Sequence, residues 1–428
     1  MIVPSIDLMD GEAVQLVEGR EPALNAGDPR PIADRFALAG PVAVIDLDAA
    51  MGNGSNEAVI RDLVRRAPCR VGGGIRTVDR ARQWLDAGAE QVILGTAATP
   101  DVLRQLPRER VIAALDARDG EIMVEGWKTP TGRRLNDQIE QLRPYVGGFL
   151  ITFIEREGRL GGIDLDAIRP LVEQAGDAHV TVAGGVTTPE DIAALDSLGA
   201  DGQVGMALYT NRLNLADAIT APMTGDRSDG LWPTVVADEH GVALGMCYSN
   251  AESVRKAVET QRGVYWSRSR GLWEKGATSG AGQELVRIDL DCDRDCLRFT
   301  VRQNDPGFCH EGTRTCWGEA AGIGALCRTI ARRCVDPPAG SYTARLLNEP
   351  DLLAAKLREE ADELARAADP SSVVHEAADV LYFTMTAMAK AGVRLEDVER
   401  ELDHRAGRIT RRPGHAKVAL PDEESSTP

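Results

Sequence analysis

The chain is short of positive charge. Lys and Arg number 49 against 66 Asp and Glu, which leaves a net charge of −17 over 428 residues. Nucleic-acid binding needs a basic face to meet phosphates, so this balance argues against such a partner. It suits an enzyme that confines positive charge, or bound metal, to particular pockets. Long apolar runs are also missing: none reaches the roughly 18 residues of a membrane span. The start MIVPSIDLMD lacks the basic-then-apolar pattern of an export signal. A cytoplasmic protein with no membrane partner is therefore expected. Cysteine is sparse and uneven, with Cys292, Cys296, Cys309 and Cys316 in one short stretch. In a chain with no export signal that clustering favours metal binding over disulfides.

What is present is the balance of a globular protein, 43% hydrophobic and 27% charged. Domains centre near about 100–150 residues, and an α/β barrel runs to about 250, so two or three domains are expected. Residues 1–222 alternate β-branched runs (VAVIDLD, RVGGGIR, QVILGT, RVIAALD, GGFLITF, HVTVAGG, DGQVGMAL) with helical stretches such as EAVIRDLVRRA. That rhythm predicts β–α units on a parallel sheet, and eight of them fit a closed (β/α)8 TIM barrel. Asp7 and Asp116, Gly73 and Gly184, and Gly95 and Gly205 stand 109, 111 and 110 residues apart. One repeat interval suggests two half-barrels related by a two-fold axis. APMTGDRSDG reads as a linker. Residues 229–320 read as a small β-rich metal-binding domain, and VDPPAGS as a second linker. Residues 340–414 show amphipathic helices, predicting an all-α domain, and 415–428 are expected to be disordered.

In a barrel the active site lies at the C-terminal strand ends, where Asp7 and Asp116 fall on opposite sides of the pseudo-two-fold. Two such carboxylates can serve as acid and base if their surroundings separate their pKa values. The runs at Gly73-Gly74 and Gly184-Gly185, with Gly95-Thr96 and Gly205 at the next strand ends, let backbone N–H groups approach an anion. A glycine run alone is more often a tight turn. Two runs in matching positions favour one phosphate site per half-barrel, hence a substrate phosphorylated at both ends.

IDL around Asp7, IDLDAA with Asn56, GGGIR, ILGTAA, ALDARDG, EGW, GGV and GMALY resemble the ProFAR isomerases of histidine biosynthesis. The resemblance spans the whole first segment. It implies an Amadori rearrangement without a cofactor: Asp7 as base, Asp116 as acid, Thr152 assisting, and Arg76 and Trp127 among the substrate contacts. Three positions depart from the family pattern: Gln15 where Arg is usual, Glu157 where Asp is usual, and Ala183 where Ser is usual. A weakened, scaffolding barrel is therefore the alternative.

In the second segment DCDRDC places Asp291, Asp293 and Asp295 at alternate positions. In a strand their carboxylates would share one face, and a hard cation such as magnesium would relieve their repulsion. Cys292 would face the other way. With Cys309 and Cys316 it makes three thiolates suited to a catalytic zinc with an open fourth position. His310 adjoins Cys309. A lone acidic strand is more often a solvated edge and a buried Cys an inert one, but neither explains why the two patterns interleave. YWSRSRGLWEKGATSG offers Arg268, Arg270 and Lys275 for a phosphorylated substrate. SRSR, LW-x-KG, TSG, DCD-x-D and C-H…C together resemble phosphoribosyl-AMP cyclohydrolase, which opens a purine ring hydrolytically.

In the third segment Glu359, Glu360 and Glu363 lie on one helix, and Glu376 and Asp379 on the next. Glu-rich helices are more often solvated surfaces. HEAADVLYF, however, sets its acids beside apolar residues, where ionised carboxylates need a cation. EExxE followed by ExxD resembles the all-helical nucleotide pyrophosphatases, and with SYTARLL the segment is similar to phosphoribosyl-ATP pyrophosphatase. That resemblance implies magnesium binding a nucleoside triphosphate. The three resemblances name consecutive steps of one pathway in reverse chain order. From about Leu231 onward the phrases also resemble the fungal multifunctional histidine proteins, without their dehydrogenase. Phosphorylated small molecules are the expected substrates. Both metal-using families are commonly dimeric, so a homodimer is expected.

Overall fold

The computed structural model describes residues 1–17, 21–124, 126–157 and 161–410. The tail expected to be disordered, the end of the third segment and Glu125 of EGW lie outside these residues. Eight parallel strands form the barrel of the first region, beside four antiparallel hairpin strands (Glu12–Val17, Glu21–Gly27, Glu121–Val124 and Thr129–Arg134): β1 (Ile2–Met9), β2 (Val42–Asp46), β3 (Cys69–Gly72), β4 (Gln91–Leu94), β5 (Val111–Arg118), β6 (Gly148–Phe153), β7 (His179–Ala183) and β8 (Ala200–Val204). Each pairs with the next, and β8 returns to β1, Gly202 opposite Ile2 and Val204 opposite Pro4, so the barrel closes. A helix follows each strand on the outside. Val78–Ala87 shows why: Ala81, Trp84 and Leu85 share one buried face, Thr77 caps the start, and Gly88 stops the helix in a left-handed conformation.

Strand side chains alternate between the helices and the lumen. Ile93, Ile112, Leu150 and Ala183 fill the lumen. The same alternation carries Asp116 and Thr152 inward, two residues beyond Ala114 and Leu150. In a ring of eight, β1 and β5 are diametrically opposed, and so are Asp7 and Asp116.

The second region is a six-stranded sheet built from β9 (Trp232–Asp238), β10 (Ala243–Ser249), β11 (Val264–Ser267), β12 (Gly271–Glu274), β13 (Gln283–Leu290) and β14 (Leu297–Gln303). Their order is β12-β11-β10-β9-β14-β13, with only β9 and β14 parallel. Its core, including Tyr265, Ile288 and Phe299, is continuous with the outer core of the barrel.

The third region is helical: α1 (Ile323–Val335), α2 (Tyr342–Asn348), α3 (Pro350–Arg366), α4 (Pro370–Lys390) and α5 (Leu395–Gly407). LLNEPDLL, which reads as one helix, splits because Pro350 has no N–H to continue α2 and instead opens α3. Leu346, Leu353 and Phe383 make a separate small core. Among the described residues no helix is long and apolar enough to cross a membrane.

Candidate active and metal sites

The barrel mouth brings Asp7, Asp116, Thr152 and Trp127 together. Burial pushes the Asp7 carboxyl up to about 6, with the Ser5 hydroxyl donating at 3.3 Å and opposing the shift. Burial also raises Asp116, against hydrogen bonds from Trp127 and Thr152. A third carboxyl joins them. Glu157 follows β6, and burial, then repulsion from Asp7 and Asp116, push it up to about 7.

The two glycine cradles repeat in backbone conformation but not in what faces them. Gly73 and Gly74 have φ of +89° and +67° and press on the backbone of Asp46 and Ala49, while a Cβ at Gly95 would meet open space. Thr96 is exposed beside it. Arg76 is exposed and donates to the Ala50 carbonyl at 2.8 Å. In the second half a Cβ at Gly184 would stand 3.2 Å from Glu157 Oε2, and one at Gly205 would stand 2.5 Å from Gln15 Oε1. Gly185 packs against Gly162 instead. Buried Gln15 donates from Nε2 to Asp7 Oδ2 at 3.4 Å. Two of the three departures from the family pattern therefore lean on the same pair of glycine turns.

One neighbour of Asp7 escaped the sequence reading. The Tyr209 hydroxyl is buried without a hydrogen-bond partner among the described residues. Burial, then the Asp7 charge, push its phenol well above the ordinary range. Tyr209 ends the GMALY run, but spacing alone gave no sign that the short helix after β8 returns it toward β1.

In the second region the acidic run is a turn, not a strand. Asp291–Cys296 joins β13 to β14. Asp291 Oδ1 accepts from the backbone N–H groups of Asp295 and Cys296 at 3.0 and 3.1 Å, and Arg294 sits at φ +66°. These local bonds compete with strand pairing, so no two-faced alternation exists. The carboxylates converge nonetheless: Asp291, Asp293 and Asp295 each offer an oxygen within 4.8 Å of the others. The charge of Asp293 comes first among the causes that raise the Asp295 carboxyl. Three hard oxygen donors of this kind fit a magnesium ion.

The three thiols do not meet within one chain. Burial, then Cys309, raise the Cys316 thiol, so these two are neighbours. Cys316 hangs over β10, its N–H donating to the Leu244 carbonyl at 2.8 Å. Cys292 lies beyond the end of β13, three strands away, or about 14 Å at ordinary strand spacing. No thiol belongs to a converged ligand group among the described residues. Cys247, which the sequence reading left unassigned, lies beside Cys316, and its thiol is raised by burial and then by that neighbour. His310 Nδ1 stands 4.0 Å from Cys309 Sγ.

Arg268 and Arg270 are exposed over the rings of Tyr248 and Trp273. Lys275 parts from them. It is buried, donates to the carbonyls of Ala281 and Gly307 at 3.3 and 3.2 Å, and neighbours the Cys309–Cys316 pair.

On the facing helices α3 and α4, Glu360, Glu363 and Glu376 converge within 4.8 Å. Desolvation, then Glu376 and Glu360, push Glu363 up. Lys356, unassigned from sequence, holds Glu360 at 2.7 Å and Glu359 at 2.9 Å. Asp379 stands outside this group, 3.7 Å from His375. The oxygen donors again suit magnesium.

Residues 1–214 match the family model described as histidine biosynthesis protein. The chain belongs to that family. Residues 245–318 match phosphoribosyl-AMP cyclohydrolase and 323–406 match phosphoribosyl-ATP pyrophosphohydrolase, so all three domains stand in order on one chain. An imidazole-4-carboxamide isomerase of Methanocaldococcus jannaschii is 34% identical over 51% of this chain and 98% of its own length. A histidine biosynthesis bifunctional protein of Schizosaccharomyces pombe is 50% identical over 49% of this chain and 50% of its own. A histidine biosynthesis trifunctional protein of Neurospora crassa is 37% identical over 83% of this chain and 39% of its own. The chain thus spans half, or less, of the length of these fungal relatives.

Proposed function

We propose that the chain catalyses three consecutive steps of histidine synthesis. Residues 340–414 would hydrolyse phosphoribosyl-ATP to phosphoribosyl-AMP and pyrophosphate, 229–320 would open the purine ring, and 1–222 would isomerise ProFAR to PRFAR. The observation that carries this reading is the ordered match to three families, each falling on a polar cluster of its own.

In the barrel, Asp116 donates a proton to the ribose ring oxygen as the ring opens, and Asp7 removes the C2 proton. Thr152 and Trp127 hold Asp116. The glycine cradles and Arg76 take the two phosphates. In the middle segment Arg268, Arg270 and Lys275 hold the substrate phosphate, and His310 moves a proton beside Cys309. Asp291, Asp293 and Asp295 would hold magnesium. Cys309 and Cys316 of one chain with Cys292 of a second copy would hold zinc, which lowers the pKa of a bound water. In the helices Glu360, Glu363 and Glu376, flanked by Glu359 and Asp379, would hold magnesium, which offsets triphosphate charge. A homodimer is supported by the separation of Cys292 from its partner thiols. It is also supported by the apolar Val374, Leu381 and Leu402, exposed on helices with only a small core. Metal-binding thiols kept reduced accord with a cytoplasmic location.

Incubating the protein with phosphoribosyl-ATP and following the intermediates tests this reading, with PRFAR as the expected end product. Accumulation of ProFAR would instead favour a second reading, a cyclohydrolase–pyrophosphatase carrying a scaffold barrel. Glu157 and Gln15 on the second phosphate cradle are the observations on its side.

A further inference from the structure

We infer that Asp196, at the base of the barrel, is a positioning residue for the magnesium-binding turn of the cyclohydrolase segment. This rests on the proposed reading of Asp291, Asp293 and Asp295 as magnesium ligands. Three carboxylates within 4.8 Å of one another repel, so the turn that presents them must be held in shape by something else. Two backbone N–H groups on Asp291 do part of this. Arg294 does a further part, in a left-handed conformation that a residue with a Cβ adopts at a cost.

The Arg294 side chain spans two domains. Nη1 donates to the carbonyl of Asp291 at 2.7 Å, tying the turn across its own mouth. Nε and Nη2 both reach Asp196, at 3.0 Å each, in a two-pronged pairing that fixes the plane of the guanidinium. The linker fastens the same loop. Thr224 donates from N to the Arg294 carbonyl at 2.7 Å and from Oγ1 to the Asp293 carbonyl at 3.1 Å.

Asp196 is itself held. The Met1 ammonium lies 3.1 Å from both Asp196 and Asp201, and Asp201 is bound by Arg70 at 3.4 Å and His179 at 2.9 Å. Met1 and His179 begin or precede strands, so this network lies at the opposite end of the barrel from Asp7. The barrel base thus acts on the second segment without touching either substrate site. Because linkage is reciprocal, a cation on the turn also tightens the docking of the two domains.

The test uses the full chain and manganese as a paramagnetic probe for the magnesium sites, with free ion measured by electron paramagnetic resonance. The class of sites lost in Asp293→Asn is the turn. Asp196→Ala should weaken that class about tenfold, as loss of an outer-shell partner does. Arg294→Ala, which also loses the bond to the Asp291 carbonyl, should weaken it at least as much, and the double variant no further than Arg294→Ala. Asp196→Asn, which keeps volume and one acceptor, serves if the alanine variant does not fold. If the wild-type chain has no manganese class sensitive to Asp293→Asn, the metal reading fails first. If that class exists but is unchanged in Asp196→Asn and Arg294→Ala, the positioning role is overturned. Losses that multiply in the double variant overturn it as well, because the two residues would then act independently.

Discussion

Asp7 and Glu157 set opposing limits on the barrel. As the proposed base Asp7 must be ionised, and its carboxyl is pushed up to about 6, so the isomerase turnover proposed for the barrel should fall as pH drops through that value. Glu157, pushed up to about 7, gains charge above that value beside Gly184 and would repel a phosphate held in the proposed cradle there. We expect isomerase kcat/KM to peak between these two values. A profile still rising above pH 8 would sink the role given to Glu157. Asp7→Asn should lose about 10²–10⁴ in isomerase turnover, while ring opening and pyrophosphate release persist. Normal turnover in that variant would remove Asp7 as base. At this scale the opposed placement of Asp7 and Asp116 was legible because a half-length repeat fixes strand ends, and strand ends set one carboxylate against the other. Tyr209 and the reach of Gln15 onto Gly205 were not legible, since they depend on how the short helix after β8 and the hairpin strand Glu12–Val17 fold back over the mouth.

Among the elements, those with a clear period read correctly and those with local hydrogen-bonding options did not. The alternation of DCDRDC mimics a strand, but Asp side chains bonding their own backbone turned it into a hairpin end. The acids still converge, while Cys292 is carried away from Cys309 and Cys316. With Cys292 supplied by a second copy, Cys309→Ser should remove about one zinc per chain and stop ring opening, because the two-thiolate site left rarely keeps the ion. Zinc analysis showing no loss would make Cys309 a structural thiol. The helix pair α3–α4 was legible from its i, i+1, i+4 and i, i+3 acids, apart from Lys356, whose ammonium occupies Glu359 and Glu360. Glu360→Gln should abolish pyrophosphate release while added phosphoribosyl-AMP is still consumed. Undiminished release would remove these acids from the metal site.

Across the whole molecule the cores divide the chain differently from the activities proposed for it. One continuous core joins the barrel to the six-stranded sheet. Arg255 of the sheet region also pairs with Asp217 of the barrel at 2.5 Å. Among the described residues the helical region has a small core of Leu346, Leu353 and Phe383 of its own, and Ile409 just beyond α5 packs against the shared core. Among the contacts that fasten it to the rest are polar ones through α5: Glu396 to Arg302 at 3.1 Å, Glu399 to His240 at 3.2 Å, and His404 to the Asp86 carbonyl at 2.8 Å. Ion pairs near a surface each contribute about 0–1 kcal/mol, and with the 3.6 Å pairing of Arg328 on α1 to buried Asp238 they are set against the many apolar contacts of a large shared core. Calorimetry of the full chain should therefore show two transitions, with loss of pyrophosphate release following the lower one. Magnesium should raise the lower midpoint by mass action, and so should protein concentration if a second copy covers Val374 and Leu381. The upper midpoint should respond less to magnesium than the lower. A single transition, or a lower midpoint indifferent to magnesium, would show that the helices are stabilised by something other than these acids and this partner.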